Sequence, residues 1–281
     1  MILHFGLFMR FQLILQSVPG QFIPINYQYE LGSWIYKVIA QADAEYASFL
    51  HGEGYTPAAT SGAAQELQQT RRYKLFCFSQ LHIPRREVIK DRIQILGPEI
   101  RLQVSFRVGP AAEHFMAGLF QDQRFRLGDK LTQADLTVKR VEAQPVVVDL
   151  PELVLQTRSP IVLSRAREQG PAEYLSPDDP EYGPRLIENL RQKYLSCLPS
   201  AVAANLISET HDEAPVGSFE VIGRPPKSRL VTLRAHKEEA TRVRGYHFRF
   251  RLKAPIELLE TGLDAGFGGK NSMGFGFGEV V

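Results

Sequence analysis

Gly262-Leu-Asp-Ala-Gly-Phe-Gly-Gly-Lys-Asn-Ser-Met-Gly-Phe-Gly-Phe-Gly278 is the most informative stretch of this 281-residue chain, and it holds seven of the 22 glycines. Glycine adopts backbone conformations with positive φ and lets another group come close to the chain, but it loses more entropy on folding than other residues. The glycine density therefore indicates an unusual backbone path that another group approaches closely.

Two nucleotide-binding motifs can be excluded for this stretch. A Walker phosphate loop has Gly, four residues and then Gly-Lys-Ser/Thr; here Gly269-Lys270 precedes Asn271, and Asp264 occupies the first glycine position. A dinucleotide-binding fingerprint needs a third glycine where Asn271 stands. Only eleven residues follow Lys270, which is too few for either fold.

Two interpretations of the glycine-rich stretch stay open. In the first, backbone amides and Lys270 bind the phosphates of a polymer, because successive N–H groups in tight turns form anion-binding concavities. In the second, the stretch is a glycine-rich β-hairpin whose bulges are structural. Composition does not decide between them.

The composition is that of an ordinary globular protein, with 44% hydrophobic and 23% charged residues. The length suits one large domain or two ordinary ones. We expect no membrane partner, because no run approaches the roughly 20 apolar residues of a span and residues 1–9 lack the features of a signal peptide. Cys77 and Cys197 form neither a metal-binding pair nor a disulfide framework, which favours a cytoplasmic location.

Positive charge is concentrated near the C-terminus, although the net charge is only +2. Residues 224–253 contain ten basic and two acidic residues. From Tyr246 onward, apolar residues alternate with a second set of side chains: His247, Arg249, Arg251 and Lys253. In a strand this pattern gives one packed face and one cationic face. A solvated face is one interpretation, but four potential cations without acidic partners favour a polyanion.

The first half of the chain has the pattern of a βαββαβ unit. Residues 9–18 alternate like a strand, and a helix from about Gln28 carries an apolar stripe. Asp43 is a predicted N-cap for a second helix from Ala44 to about His51. Residues 52–70 predict a loop, with a candidate short helix at 63–69. The remaining predicted elements are strands at 73–80, 92–96 and 100–108, a helix opened by Gly109-Pro110, and a strand at 135–148.

The second half repeats this plan less clearly. Its predicted elements are strands at 153–165, 216–223, 230–236 and 241–253, helices at 184–198 and 255–260, and a final strand reaching Val281. The sequence therefore predicts an α+β protein of two tandem ferredoxin-like domains, 1–150 and 151–281, with a cleft between them and a C-terminal glycine-rich loop.

The chain resembles the CRISPR-associated endoribonucleases of family six, which cut repeat RNA to make guide RNA. The most specific match is Gly266-Phe-Gly-Gly-Lys-Asn-Ser-Met-Gly-Phe-Gly-Phe-Gly278, which is similar to the family's glycine-rich signature. Supporting stretches lie at 25–36, 159–165, 174–179 and 188–194, in an order that spans nearly the whole chain.

The resemblance implies a catalytic trio. In the best-studied branch of the family a tyrosine on the first helix, a histidine ending the next helix and a lysine before the second strand form the site, and here these correspond to Tyr36, His51 and Lys74. The insertion at 52–72 separates His51 from Lys74 widely. From the residues alone, the position of Tyr36 also suits an ordinary surface tyrosine, and a histidine at a helix end such as His51 commonly caps carbonyls.

The implied reaction is RNA cleavage without metal or other cofactor. The 2′-hydroxyl of the RNA attacks the phosphate and gives a 2′,3′-cyclic phosphate and a 5′-hydroxyl. A histidine with a pKa of roughly 6.5 exchanges a proton near neutrality, a lysine offsets charge on the phosphorane, and a tyrosine orients or deprotonates. The sequence does not assign the acid and the base.

The expected partner is CRISPR repeat RNA, with other subunits of a CRISPR effector complex as further candidates and the protein itself a monomer or homodimer. The candidate RNA-binding residues are Gly266, Gly268, Gly269, Lys270, Asn271, Ser272, Arg242, Arg249 and Arg251. The alternative function is a non-catalytic RNA-binding subunit of the same architecture, and the histidine at position 51 favours the enzyme.

Overall fold

A computed structural model describes residues 9–57, 71–167, 169–209, 217–235 and 240–281. The elements of the first half are strands β1 (Arg10–Ser17), β2 (Phe22–Pro24), β3 (Phe76–Phe78), β4 (Arg86–Ile89), β5 (Arg92–Ile95), β6 (Glu99–Phe106), β7 (Arg124–Gly128) and β8 (Gln133–Ala143), and helices α1 (Gln28–Ala42), α2 (Ala44–Gly52) and α3 (Gly109–Gln121).

The elements of the second half are strands β9 (Glu152–Thr157), β10 (Ser164–Arg165), β11 (Glu173–Tyr174), β12 (Ser218–Leu233), β13 (Thr241–Lys253) and β14 (Gly278–Val280), and helices α4 (Tyr182–Cys197), α5 (Ser200–Glu209) and α6 (Ile256–Ala265), with a 3₁₀ turn at Asn271–Met273. Among the described residues, no helix is long and apolar enough to cross a membrane.

The two large sheets have the same topology. Their strand orders are β3-β6-β1-β8-β7 and β12-β13-β9-β14, and all neighbouring strands are antiparallel. Apart from the edge strand β7, each sheet places the second, third, first and fourth strands of a βαββαβ unit side by side. The predicted fold class, two tandem ferredoxin-like domains, is therefore confirmed. The predicted boundary at Pro151 stays a prediction.

Local patterns in the first domain produced the predicted helices. The apolar stripe of α1 is buried against the sheet. Asp43 caps α2, since its side chain accepts a hydrogen bond from the Tyr46 backbone N–H at 2.8 Å. Helix α3 crosses α1 at Gly118, where a β-carbon would lie 1.9 Å from the Val38 carbonyl oxygen. Only glycine allows this approach of the two helices.

Several predicted strands have different limits. The strand predicted at 153–165 is two strands, because Pro160 lacks the N–H that a continuous ladder requires. The strands predicted at 216–223 and 230–236 are one strand, β12, whose register shifts between Ile222 and Lys227. Within the strand predicted at 73–80 only β3 forms a strand, and the strand predicted at 135–148 ends at Ala143. The helix predicted at 63–69 lies outside the described residues.

Further elements differ from the sequence prediction. Strands β2, β4, β7 and β11 and helix α5 have no counterpart in it, and the helix predicted at 255–260 continues to Ala265. In α6 the continuation buries Gly262 and Leu263 against the second core. The sequence pattern ended the helix too early because Gly262 lies inside it, and glycine lowers helix propensity.

We expect Gly118→Ala to lower the free energy of unfolding by about 1–3 kcal/mol, since the new methyl group must push α1 and α3 apart. Urea unfolding followed by circular dichroism measures the change. Gly109→Ala is the matched control on the same helix, because the nearest atom to its β-carbon would be 3.9 Å away. Equal stability of the two variants would contradict the proposed close packing at Gly118.

Candidate functional site

The middle of α1 and the last turn of α2 bring Tyr36 and His51 together. Their ring centroids lie 5.1 Å apart with the planes at 80°. His51 is exposed in the last turn of α2, whereas Tyr36 is partly buried and packs edge-on against Phe76 of β3 at 5.4 Å. An exposed imidazole next to an anchored phenol can reach a bound substrate.

Lys74 joins the same cluster despite its distance along the chain. Its Nζ donates a hydrogen bond to the His51 carbonyl oxygen at 2.7 Å. The intervening segment is closed at its base by Tyr55 and Tyr73, which exchange backbone hydrogen bonds of 2.8 and 2.7 Å. The structure thus brings the three residues of the predicted trio together, with the two rings in contact and Lys74 bound to the His51 backbone.

Gly54 lets the chain pass close to Tyr73 and Lys74, a role that sequence analysis did not identify. Its φ is +67°, and a β-carbon there would lie 2.7 Å from the Tyr73 carbonyl oxygen and 3.1 Å from Lys74 Nζ. Glycine tolerates both the conformation and the contact. The Gly-Glu-Gly sequence at 52–54 is the signal that could have indicated it.

Burial changes the titration of two members of the trio. Desolvation raises the pKa of Tyr36 to about 12, and the interaction with the Ser272 side chain opposes this rise. For Lys74, desolvation lowers the pKa, and the neighbouring Arg72 lowers it further. Both shifts disfavour the charged form, as expected for groups removed from water. Tyr36 is therefore a neutral hydrogen-bonding group at neutral pH.

The glycine-rich loop, residues 266–278, is packed between the two domains. Phe267, Phe275 and Phe277 are fully buried. The Phe267 N–H donates to the Gly276 carbonyl at 2.8 Å, and the Asn271 amide donates to the carbonyls of Phe267 and Phe275 at 3.3 and 3.1 Å. These contacts give the loop a fixed shape.

Lys193 of α4 anchors the start of this loop. Its side chain is buried, and its Nζ donates to the carbonyl oxygens of Gly266 and Gly268, the latter at 2.7 Å. Desolvation lowers the pKa of Lys193 to about 7. Sequence reasoning missed Lys193, because its lysine stands among other polar residues of an amphipathic helix and carries no local signal of burial.

The predicted RNA-binding residues of the loop fall into two groups. Gly266 and Gly268 are buried, and their carbonyls are bound by Lys193. Gly269, Asn271 and Ser272 are partly accessible, and Lys270 is exposed. The structural interpretation of the glycines thus fits the first group, whereas the phosphate-binding interpretation concerns residues 269–272.

A cavity of about 600 Å³ lies between the domains beside Lys74. Residues 71–76, helix α4 and residues 268–273 contribute to its wall. Its lining includes six basic side chains, Arg71, Arg72, Lys74, Arg185, Lys193 and Lys270, against one carboxylate, Glu188. A cavity with this charge attracts anions.

The expectation of a wholly cationic, unpaired face on β13 was wrong at two positions. Arg251 forms ion pairs with Glu220 at 2.6 Å and Glu152 at 3.5 Å. Burial, followed by the effect of Arg229, lowers the pKa of His247 to about 4, so its imidazole is neutral. Counting charges over 224–253 missed both glutamates, which lie on neighbouring strands outside that stretch.

The other two arginines of β13 that were predicted to bind RNA are accessible to solvent. Arg242 and Arg249 are both exposed. Within the described part of the chain, neither side chain forms an ion pair. The structure therefore leaves these two arginines, and not Arg251, as unneutralised cations on the strand.

The domains are joined by Arg10, which sequence analysis did not identify. Its Nη2 donates to the carbonyl oxygens of Leu263 and Gly278 at 2.6 and 3.1 Å. Its guanidinium also lies 4.3 Å from the centre of the Phe277 ring. Strand β1 of the first domain thereby holds both ends of the segment that carries the glycine-rich loop.

An ion pair also crosses the interface. Arg107 follows β6 and lies 3.2 Å from the Asp264 carboxylate of α6. Burial raises the pKa of Asp264 to about 6, although Arg107 and Arg10 oppose the shift. Among the described residues, no group of three or more His, Cys, Asp or Glu side chains is arranged to hold a metal ion.

Two ferredoxin-like domains in tandem place this chain in a fold class that solved Cas6-related and RAMP structures share. Family models confirm the relationship. Residues 22–142 match "CRISPR-associated protein Cas6, N-terminal" and residues 142–280 match "CRISPR associated protein Cas6, C-terminal". The chain belongs to the Cas6 family.

Individual relatives agree with this assignment. The chain is 29% identical over 271 residues to "CRISPR-associated endoribonuclease Cas6 1" of Methanocaldococcus jannaschii, covering 95% of this chain and 91% of that protein. A solved structure titled "CRISPR associated protein Cas6" is similar with a TM-score of 0.67 and 27% identity, covering 97% and 98%. A Cas6-related protein from Pyrococcus furiosus shares the fold, with a TM-score of 0.72, 22% identity and 98% coverage of both chains.

We expect Lys193→Met to lower the free energy of unfolding by about 2 kcal/mol or more, because two buried carbonyls lose their donor. Chemical unfolding at pH 8 measures the change. Lys37→Met, at an exposed lysine of α1, is the control and should change stability by less than about 0.5 kcal/mol. Similar effects of the two substitutions would contradict the anchoring role of Lys193.

The stabilities of the wild type and of Lys193→Met should depend differently on pH. The pKa of Lys193 is about 7 in the folded chain, against 10.5 for an ordinary lysine. Between these values the unfolded chain binds more protons, so the stability of the wild type rises with pH. We expect its advantage over Lys193→Met to grow across this window by at most about 1.4 kcal/mol per pH unit. A constant difference would show that Lys193 titrates normally.

Proposed function

We propose that this protein is an endoribonuclease that cleaves CRISPR repeat RNA to produce guide RNA. The observation that carries the proposal is the cluster formed by His51, Tyr36 and Lys74. His51 is exposed, its ring meets the Tyr36 ring, and its own carbonyl binds Lys74. The names of the curated relatives from Methanocaldococcus jannaschii and Pyrococcus furiosus, both Cas6 endoribonucleases, support the same activity.

The proposed reaction uses the RNA's own 2′-hydroxyl as nucleophile. It attacks the adjacent phosphorus, the bond to the 5′-oxygen breaks, and the products carry a 2′,3′-cyclic phosphate and a 5′-hydroxyl. His51 transfers a proton in this step, as an imidazole can near neutral pH. Lys74 stabilises negative charge on the phosphorane. Tyr36, which is neutral, orients the reacting groups by hydrogen bonding.

The cationic surface next to this cluster supplies the proposed RNA contacts. The backbone of Gly269 and the side chain of Lys270 border the same cavity as Lys74. Phosphates held there lie close to the trio. Arg242 and Arg249 extend the cationic surface along β13, and Arg251 contributes less because its charge is already paired.

A non-catalytic RNA-binding subunit with this architecture is the second candidate function. It would need the cavity and the arginines of β13 but would not need the trio. The exposure of His51 beside Tyr36 favours the enzyme. The cleavage experiment separates the two functions, because the binding subunit would retain repeat RNA without cutting it.

We expect His51→Ala to slow cleavage of a transcribed repeat RNA by about 10²–10⁴-fold, the range lost with a general acid or base. The measurement is a single-turnover rate at saturating protein, so that changes in affinity do not enter. Repeat-RNA affinity should stay within about twofold of the wild type. EDTA should leave the wild-type rate unchanged, and mapping of the product ends should give the cyclic phosphate and the 5′-hydroxyl.

His82→Ala is the matched control, since His82 is an exposed histidine of the same domain outside the trio. It should cleave at a rate close to that of the wild type. Cleavage that persists in His51→Ala, or that EDTA abolishes, would refute the proposed chemistry. Binding without any cleavage by the wild type would establish the non-catalytic function.

The arginines of β13 give a separate prediction for binding. Arg249→Gln should weaken repeat-RNA affinity and reduce the slope of log K against log salt by about 0.7–0.9, because one fewer phosphate contact releases counterions. Arg251→Gln should have a smaller effect, since Glu220 and Glu152 already neutralise its charge. Filter binding at several salt concentrations measures the slopes.

Lys270→Gln should resemble Arg249→Gln, because Lys270 is also exposed. Lys130→Gln, an exposed lysine of the first domain remote from the cavity lining, is the control with an unchanged slope. If Arg251→Gln flattened the slope more than Arg249→Gln, the assignment of free and paired arginines would be wrong.

A further inference from the structure

The chain reverses direction at the end of α2 and brings Tyr55 back over the helix. The Gly54 N–H donates to the Phe49 carbonyl oxygen at 2.8 Å. Tyr55 then forms an antiparallel backbone bridge with Tyr73. Lys74 follows this bridge directly, so the position of Tyr55 determines the point from which the Lys74 side chain extends.

The side chain of Tyr55 attaches the bridge to α2. Its hydroxyl forms a hydrogen bond with the Tyr46 hydroxyl at 3.1 Å. Its ring packs edge-on against Phe49, with the centroids 5.5 Å apart and the planes at 86°. Tyr46 and Phe49 are three residues apart and therefore share one side of the helix, which carries His51 in its last turn. One aromatic ring thus connects the bridge before Lys74 to the helix of the candidate catalytic histidine.

Two other contacts between this segment and α2 come from long, flexible side chains. Arg72 Nη1 donates to the Gly52 carbonyl oxygen at 3.0 Å, and Lys74 Nζ donates to that of His51 at 2.7 Å. Holding a lysine or arginine in one conformation costs more entropy than holding a tyrosine, whose side chain has only two rotatable bonds. The Tyr55 ring is therefore the stiffest of these side-chain connections.

We propose that Tyr55 is a positioning residue that holds Lys74 beside His51 for cleavage. This inference rests on the proposed function. The ring and hydroxyl of Tyr55 fix the bridge on α2, and the bridge fixes the backbone of Lys74. Tyr55 does not belong to the described wall of the interdomain cavity, so it acts on the reaction through Lys74 and not through the RNA.

Support of the first-domain core is the competing role, because Tyr55 also packs against that core. A residue that only supports the core affects the rate whichever side chain occupies position 74. A positioning residue has no effect on the rate once the Lys74 ammonium is gone. A double-mutant cycle with Lys74→Met separates the two roles.

We expect Tyr55→Ala to slow single-turnover cleavage about 10- to 100-fold, because misplacing a reacting group by about 1 Å costs up to about 10²-fold. Repeat-RNA affinity should stay within about threefold of the wild type. In the Lys74→Met background, Tyr55→Ala should cause no further slowing. Tyr55→Phe keeps the ring and should lose only about 2- to 10-fold, the range of one neutral hydrogen bond. Tyr46→Phe removes the same hydrogen bond, so it should match Tyr55→Phe and add nothing to it.

Phe125→Ala is the matched control, since it also removes a partly buried aromatic ring that packs against the first-domain core. Phe125 lies on the edge strand β7 and stacks on Trp34 at 4.0 Å. This variant should cleave within about twofold of the wild type. Equal slowing by Tyr55→Ala with and without Lys74 would overturn the positioning role, and so would equal slowing by Phe125→Ala and Tyr55→Ala.

A second measurement needs no RNA. In protein labelled at lysine ¹³Cε, the resonance that disappears in Lys74→Met belongs to Lys74, and its titration gives the pKa of that ammonium. Desolvation, followed by the effect of Arg72, lowers this pKa in the wild type. In Tyr55→Ala the pKa should rise toward that of an ordinary lysine, because the displaced ammonium regains water. In Phe125→Ala it should stay at the wild-type value.

The titration also separates failure of this inference from failure of the proposed function. If the pKa of Lys74 is the same in Tyr55→Ala as in the wild type, Tyr55 does not hold the lysine and the inference fails. If the pKa rises but the wild type cuts no repeat RNA, the contact stands and the proposed function fails.

Discussion

The buried guanidinium of Arg10 is the contact on which the arrangement of the two domains depends. Removing a charge from water costs several kcal/mol unless hydrogen bonds replace the lost solvation. Arg10 obtains this replacement from the carbonyls of Leu263 and Gly278 and from the face of Phe277. Its Nε finds no acceptor among the described residues, so the compensation is incomplete. Both carbonyls flank the glycine-rich loop, and one side chain of β1 therefore fixes where that loop begins and ends.

The glycines follow from this arrangement, because the loop must turn back on itself within a closed space. A β-carbon at Gly276 would lie 2.1 Å from the Phe267 carbonyl oxygen, and one at Gly266 would lie 2.5 Å from the Asn271 amide nitrogen. Both residues also have positive φ. The three phenylalanines between the glycines are fully buried, with Phe267 in the core of the second domain and Phe275 in a separate small cluster, while the glycine positions let neighbouring backbone segments touch. The loop is consequently a structural element over most of its length, and only residues 269–273 reach the surface.

The parts of the fold that sequence analysis predicted correctly are those specified by neighbouring residues. The stripe of α1, the cap by Asp43 and the alternation of β13 each depend on a few positions in a row. Contacts between distant residues were not predictable in this way. Lys74 meets His51 because Tyr55 and Tyr73 close the insertion, and Arg251 is neutralised by glutamates on other strands. The candidate trio was found through the family resemblance, whereas Lys193, Gly54 and Arg10 became recognisable only when the domains were packed.

Two different sets of contacts hold the residues of the candidate trio, so a loss of domain packing should affect these residues differently. His51 and Lys74 are held by contacts inside the first domain, through the carbonyl of His51 and the close approach of Gly54. Tyr36 lies one helical turn beyond Gly32, where a β-carbon would lie 2.8 Å from the Ser272 carbonyl oxygen of the second domain. A disturbance of the interface at Arg10 or Lys193 therefore reaches the helix face that carries the tyrosine first, because a turn of the second domain is packed on that face. The contact between histidine and lysine survives such a disturbance, so loss of domain packing should reduce the rate of the reaction without dispersing the whole site.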